Sequence, residues 1–145
     1  MGEKEYDPQM HSAEHLLNQT MVRLFGCGRA ISAHVERKKS KCDYNFPRML
    51  TPEELLQVEE AVNQVITMSL PVTESYLLRS EAALRFNLSR VPESAGDSIR
   101  IVRIGDYDAC PCIGPHVANT SQIGQFKIIS ADHHEGVLRI RFKRE

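Results

Sequence analysis

His11 and His15 stand four residues apart in a stretch whose apolar residues recur at helical spacing, so both imidazoles fall on one helix face. Two nitrogens placed this way can converge on one ion at about 2.0–2.1 Å from each. Cys112 and His116 form a second pair, in a stretch where Gly114 and Pro115 mark a loop of restricted backbone. A thiolate and three imidazoles are a donor set that zinc takes readily, ahead of magnesium and calcium, which want oxygen. Either pair alone is a weak signal, because histidines four apart also occur on ordinary helix surfaces. Together they point to one zinc ion per chain, held by His11, His15, Cys112 and His116. Two uses of such a site stay open: four protein ligands usually mark a structural zinc, whereas a catalytic zinc keeps a position for water or substrate. Polar side chains beside both pairs, Glu14, Asp106 and Asp108, and a chain long enough to build a core without a metal, weigh against a mere staple.

Other reactive side chains read more plainly. His133 and His134 adjoin Asp132 and Glu135 in what reads as a solvated hairpin turn, and His34 alternates with strand residues as a sheet-face side chain. Cys27 and Cys42 read as buried or half-buried thiols. The spacing of the four cysteines forms no disulfide framework, and Cys110 and Cys112 are too close for an easy bridge. Gly26 and Gly28 continue into no phosphate-binding pattern.

The elements that must position these residues follow from periodicity and turn chemistry. A helix is expected over 10–25, opened by Asp7-Pro8 and ended by Gly26. Short strands are expected over 30–35 and 41–46. A second helix starts at Thr51-Pro52-Glu53-Glu54, which combines an N-cap, a first-turn proline and a capping-box glutamate, and its apolar stripe runs to Leu70 before Pro71. Beyond it a strand is expected over 72–78, a helical turn over 80–84 and a polar loop over 87–97. Further strands are expected over 99–104, 123–130 and 137–142, and residues 105–116 read as a loop rich in turn formers. Helices and antiparallel strands in separate runs give an α+β fold, a two-layer sandwich of an antiparallel sheet and two main helices.

At 145 residues, with 41% hydrophobic and 26% charged residues, the chain reads as one globular domain over 1–145. Its net charge of −1 announces no nucleic-acid partner by itself. Basic clusters occur at Arg37, Lys38, Lys39 and Lys41 and at Arg139, Arg141, Lys143 and Arg144. No apolar run approaches a membrane span, and the charged start, Met1 to Tyr6, lacks the apolar stretch of a secretory signal, so a cytoplasmic location is expected.

At these residues the sequence resembles the editing domain shared by alanyl- and threonyl-tRNA synthetases and the short, free-standing alanyl-tRNA editing proteins. The resemblance rests on His11-x-x-x-His15 followed by Leu16-Leu17, and on the run from Gly105 through Cys112 and His116 to Thr120, Gly124, Phe126 and Lys127. Cys42-Asp43-Tyr44, Leu50 to Leu55, Glu59 and Val62-Asn63 extend it over nearly the whole chain. It implies that His11, His15, Cys112 and His116 are the metal-binding or catalytic quartet. The implied activity is hydrolysis of the ester joining a wrong amino acid to a tRNA acceptor end, with Ser- or Gly-tRNA(Ala) as the expected substrate. A zinc ion there could polarise the ester carbonyl, lower the pKa of a water or orient the substrate. Asp43, Asp106 and Asp108 are candidates to orient the ligands or line the pocket. Ile113-Gly114-Pro115-His116 looks more like the threonyl type, and Cys110 stands where that type carries an aspartate, whereas Thr120, Gly124, Phe126 and Val62-Asn63 look alanyl. Threonyl-type editing of Ser-tRNA(Thr), and a non-catalytic zinc-containing tRNA-binding module, are the alternatives.

Overall fold

A computed structural model describes residues 7–89 and 91–145; the charged stretch 1–6, on which the absence of a signal was read, lies outside them. Helix α1 (Pro8–Phe25) begins where Asp7 accepts a hydrogen bond from the Gln9 N–H, with Pro8 in the first turn. It ends at Gly26, whose φ of 67° lets its N–H return to the Val22 carbonyl. Helix α2 (Pro52–Thr67) opens on the expected capping box, with Thr51 and Glu54 each accepting the other's backbone N–H. It stops three residues before the end of its apolar stripe. Ser69 turns to a φ of 52°, and the hydroxyl of buried Thr120 fills the helix end, accepting the Leu70 N–H at 2.9 Å and lying 3.2 Å from the Val65 and Ile66 carbonyls.

The α+β class stands, with the strands divided between two antiparallel sheets and a third helix added. Strands β1 (Ser32–His34) and β2 (Ser40–Asn45) join the C-terminal hairpin of β6 (Phe126–His134) and β7 (Val137–Arg144) in the order β1-β2-β7-β6. Strands β3 (Val72–Leu78), β4 (Ser98–Ile104) and β5 (Asp108–Pro111) form the second sheet, ordered β3-β4-β5. Helix α3 (Arg79–Arg85) packs Ala82 against Ile99 and Ile101 in a small core of its own.

The main core lies where α1 and α2 cover the four-stranded sheet. Met10, Leu16, Leu17 and Met21 of α1 and Val58, Val62 and Val65 of α2 meet Tyr44, Phe126, Leu138, Ile140 and Phe142. Strand β7 alternates along its sequence: Leu138, Ile140 and Phe142 point inward and Arg139 and Arg141 outward. Helix α2 also grips β6 by its backbone, because the Asn63 amide makes both bonds to Phe126 and Glu59 accepts the Ile128 N–H.

Three expectations need correction. Residues 105–116 are a turn followed by β5, a strand that Asp, Cys and Pro disguise and that survives because it pairs with β4 on one side only. Strand β6 starts at Phe126 rather than 123, since Asn119 caps a short helical turn over Thr120–Ile123. His133 and His134 belong to β6, and His133 bonds the Phe46 carbonyl at 2.7 Å; the turn itself is Glu135-Gly136, both at positive φ as a two-residue hairpin demands.

Replacing Thr120 by valine keeps the shape but strips the end of α2 of its partner. Chemical denaturation should show a loss of about 1–3 kcal/mol, the cost of leaving buried backbone groups unpaired. A loss below the error of the fit would show that α2 ends without help from Thr120.

Candidate metal centre

Nearly every side chain of α1 from Met10 to Asn18 is buried, the polar ones included. Its apolar stripe faces the main core, and its other side packs under β5 and the loop after it. There one donor atom from each of His11, His15, Cys112 and His116 lies within 4.8 Å of the other three. The Nε2 atoms of His11 and His116 stand 3.4 and 3.5 Å from Cys112 Sγ. The His11 and His116 rings stack with centroids 4.2 Å apart, and His15 meets both edge-on.

The opposite nitrogen of each ring is held. His11 Nδ1 lies 3.0 Å from the Pro115 carbonyl, which can only accept, so that nitrogen carries a proton and Nε2 is the nitrogen turned toward Cys112. His116 Nδ1 lies 2.9 Å from Ser12 Oγ, which also accepts the Val117 N–H. His15 Nδ1 faces Cys110 Sγ at 3.3 Å and Asp108 Oδ2 at 3.5 Å. Such outer partners fix the tautomer and orientation of metal-binding histidines. Gly114 permits the approach, since a Cβ there would stand only 2.7 Å from His11 Nδ1.

Charge is arranged for the same end. Burial pushes the Cys112 thiol up, but the imidazoles of His11, His116 and His15 more than reverse that and hold it at about 3, a thiolate at neutral pH. Burial, with the charges of His15 and His11, brings His116 down to about 4, so it is a neutral ligand. Burial opposes a charge on His15 too, yet Cys110 and Asp108 beside it raise its pKa well above the ordinary value. A metal ion would therefore displace a proton from His15 on binding. Deprotonated sulfur, a neutral imidazole and two further imidazole nitrogens that converge on it suit a zinc ion, and this cluster could hold one.

The three aspartates part company. Asp108 is buried and forms the outer layer of the cluster, taking Arg29 at 2.7 and 3.3 Å and the Gln19 amide at 2.9 Å while facing His15. Asp43 is not a pocket residue: Arg139 pairs with both its carboxylate oxygens and Ser32 bonds one of them, which ties β2 to β7 and β1. Asp106 is exposed on the turn before β5, where its carbonyl accepts from Arg23. Ser12, Gln19 and Arg29 escaped the sequence reading. Gln19 carried a signal, since it follows His15 by one helical turn; Arg29 carried none.

A cleft of about 1140 Å3 opens over the cluster, between β1 with the preceding 28–31 segment and the second sheet. His11, His15 and Cys112 reach it, as do Glu14, Arg29 and Arg100. Its volume is that of a site for a sizeable small-molecule moiety.

Burial opposes the Asp108 charge, but His15 and Arg29 hold its carboxyl down to about 2. A depressed carboxylate stabilises the fold fully above its unfolded value of about 3.9 and stops doing so as pH falls toward the folded one. Asp108→Asn should thus lower the denaturation midpoint most above pH 4, with the difference from wild type shrinking toward pH 2; a difference independent of pH would show that charge is not the cause. Gly114→Ala should weaken zinc binding by about 10–100-fold, as loss of an outer partner does, in a chelator competition titration. Unchanged affinity would mean that the loop can yield without moving His11.

Residues 99–141 match the threonyl and alanyl tRNA synthetase second additional domain. The alanine–tRNA ligase of Shouchella clausii is 36% identical over 125 residues, covering 83% of this chain and 14% of the ligase. Those of Coxiella burnetii and Bacillus subtilis are 37% and 36% identical over 122 and 121 residues, again 83% of this chain and 14% of each ligase. The chain thus spans about a seventh of the curated relatives it matches, and it belongs to the threonyl and alanyl tRNA synthetase second additional domain family, as a homologue of the alanyl-tRNA synthetase editing domain.

Proposed function

We propose that residues 1–145 act as one editing unit that hydrolyses the ester of mischarged tRNA, with Ser- or Gly-tRNA(Ala) as substrate and with His11, His15, Cys112 and His116 holding one zinc ion. The observation that carries this reading is the position of the quartet beneath a cleft of about 1140 Å3, where a structural staple would be closed over. Zinc bound there would supply Lewis acidity where the ester carbonyl must sit. The chain does the rest. Pro115, Ser12 and the Asp108–Arg29 pair keep the three imidazoles aimed at one point, and the cleft orients the acylated terminal adenosine above them. The products are the free amino acid and a tRNA with its terminal hydroxyl restored. The alanine system is favoured because the similar proteins named above are alanine–tRNA ligases.

The C-terminal basic cluster is poorly suited to the tRNA backbone, since Arg139, Arg141 and Lys143 pair with Asp43, Asp132 and Glu145. The better surface is the turn at 36–39, where Arg37, Lys38 and Lys39 are exposed and lead from β1, which walls the cleft, into β2. Phosphate contacts there would weaken as salt rises. No helix among the described residues is long and apolar enough to cross a membrane, and the reading places the protein in the cytoplasm, with the aminoacyl-tRNA pool.

A deacylation time course on Ser-tRNA(Ala) and Gly-tRNA(Ala), with Ala-tRNA(Ala) and Ser-tRNA(Thr) alongside, tests the proposal. The mischarged alanine tRNAs should be cleared and the correct one spared. Chelation or Cys112→Ala should slow clearance by more than about a hundredfold, beyond the effect of losing an outer partner. Clearance of Ser-tRNA(Thr) alone would assign the threonine system. No turnover by folded, zinc-loaded protein would leave a binding module in place of an enzyme.

A further inference from the structure

Glu14 is buried between the two histidines of α1 and is not one of the four clustered donors. One carboxylate oxygen, Oε2, accepts from the Asn18 amide, whose own oxygen takes the Ala30 N–H at 3.1 Å and the Tyr44 hydroxyl at 2.8 Å. The carboxylate is therefore fixed from behind. Its other oxygen, Oε1, stands 3.8 Å from His11 Nε2 and 3.9 Å from His15 Nε2, and Glu14 lines the cleft. Among the described residues lining that cleft, Glu14 is the one carboxylate, and beside the Cys112 thiolate it is accompanied by the cations Arg29 and Arg100.

We propose that Glu14 recognises the free α-ammonium group of the substrate, so that the site takes esters of unblocked amino acids and rejects N-acylated ones. This rests on the aminoacyl-ester reading above and names the feature of the ester that is read. In an amino-acid ester the α-nitrogen lies about 2.5 Å from the carbonyl carbon, from the N–Cα and Cα–C bond lengths. A carbonyl seated at the quartet thus brings its ammonium within reach of an acceptor standing 3.8 and 3.9 Å from two of the ligand nitrogens. Charge demands such a partner. A divalent ion with one thiolate leaves the quartet net positive, and an ammonium beside it is repelled unless a carboxylate stands between them. An N-acyl group removes the positive charge and adds bulk at the same point. It leaves Glu14 facing a neutral amide, so the carboxylate gains no ion pair from the substrate.

Binding of amide-linked analogues, which cannot be hydrolysed, reads this directly. Calorimetry with zinc-loaded protein would compare 3′-deoxy-3′-(L-serylamino)adenosine with its N-acetyl form. Wild type should bind the free amine about 10–100-fold more tightly, the range for a hydrogen bond to a charged group. Glu14→Gln, which keeps an acceptor for Asn18, should bring the two analogues within about threefold of each other, and Glu14→Asp should restore part of the preference. Equal binding of both analogues to wild type, or a preference that Glu14→Gln leaves intact, overturns the proposal. Should Glu14→Gln prove unfolded by circular dichroism, the wild-type comparison and Glu14→Asp decide alone, and a wild-type preference below threefold overturns it. Deacylation measured in parallel separates the two readings: preferential amine binding without turnover of seryl-tRNA keeps the ammonium site and removes the hydrolase.

Discussion

Three imidazoles can serve one ion only if each turns the same nitrogen inward, and an imidazole turns its Nε2 inward reliably only when something holds its Nδ1. The Pro115 carbonyl, the Ser12 hydroxyl and the pair of Cys110 and Asp108 are those holds. Two come from α1 or the loop packed on it, and the third reaches across from β5. This requirement removes from α1 the solvent-facing side that a helix on a sheet would ordinarily keep. His11, Ser12, Glu14, His15 and Asn18 are all buried, and each has a polar partner. The helix is amphipathic in sequence, yet from Met10 to Asn18 it is buried on every side.

From that follows the use of two sheets where one could supply a core. The four-stranded sheet with α1 and α2 holds most of the large buried side chains, Ile104 of β4 joining them, and the three-stranded sheet shares with α3 a smaller cluster around Ala82, Ile99 and Ile101. Its larger contribution is to present β5 edge-on to the polar side of α1. There Asp108 and Cys110, two residues apart, point the same way, toward His15 and Arg29. The hairpin end is fastened independently: Thr20 bonds the Tyr107 hydroxyl, and Arg23 lies over the Tyr107 ring and bonds its carbonyl. Because the sheets are separate, a gap remains between β1 and the second sheet, and that gap is the cleft.

What the sequence disclosed divides along the line between local and distant causes. The caps of both helices, the alternation of β7 and the ligand spacing in each half of the quartet depend on neighbours a few residues away, and all could be read. The end of α2 could not, because it is set by Thr120, fifty residues from Leu70. Strand β5 was hidden for a related reason: its residues are weak strand formers, and pairing with β4 overrides their preference. Asp43 and Asp108 were equivalent as letters, and only the fold distinguishes them by pairing one with Arg139 on a sheet and the other with Arg29 beneath His15. Arg29 had nothing to mark it at all, since an arginine after a glycine-rich helix end is the commonest of surface features.

The side from which each group is reached bears on whether such a cluster is a staple or a working site. Ser12, Pro115 and Asp108, which hold the rings, are absent from the wall of the cleft, as is His116. His11, His15, Cys112 and Glu14 are present on it, together with Cys110 and Arg29. The rings of His11 and His116 are therefore supported from the side away from the cleft, while His15 is held both from behind, by Asp108, and from the cleft wall, by Cys110. A structural site has no use for that opening, because a closed ligand shell gains nothing from facing a cavity and loses the shielding that keeps its thiolate inert. The proposed hydrolase would have to hold its own groups still while admitting an acylated nucleotide, and supporting His11 and His116 from the side away from the cleft serves that need, since orientation is worth most when the supporting bonds do not compete with the substrate for the same space.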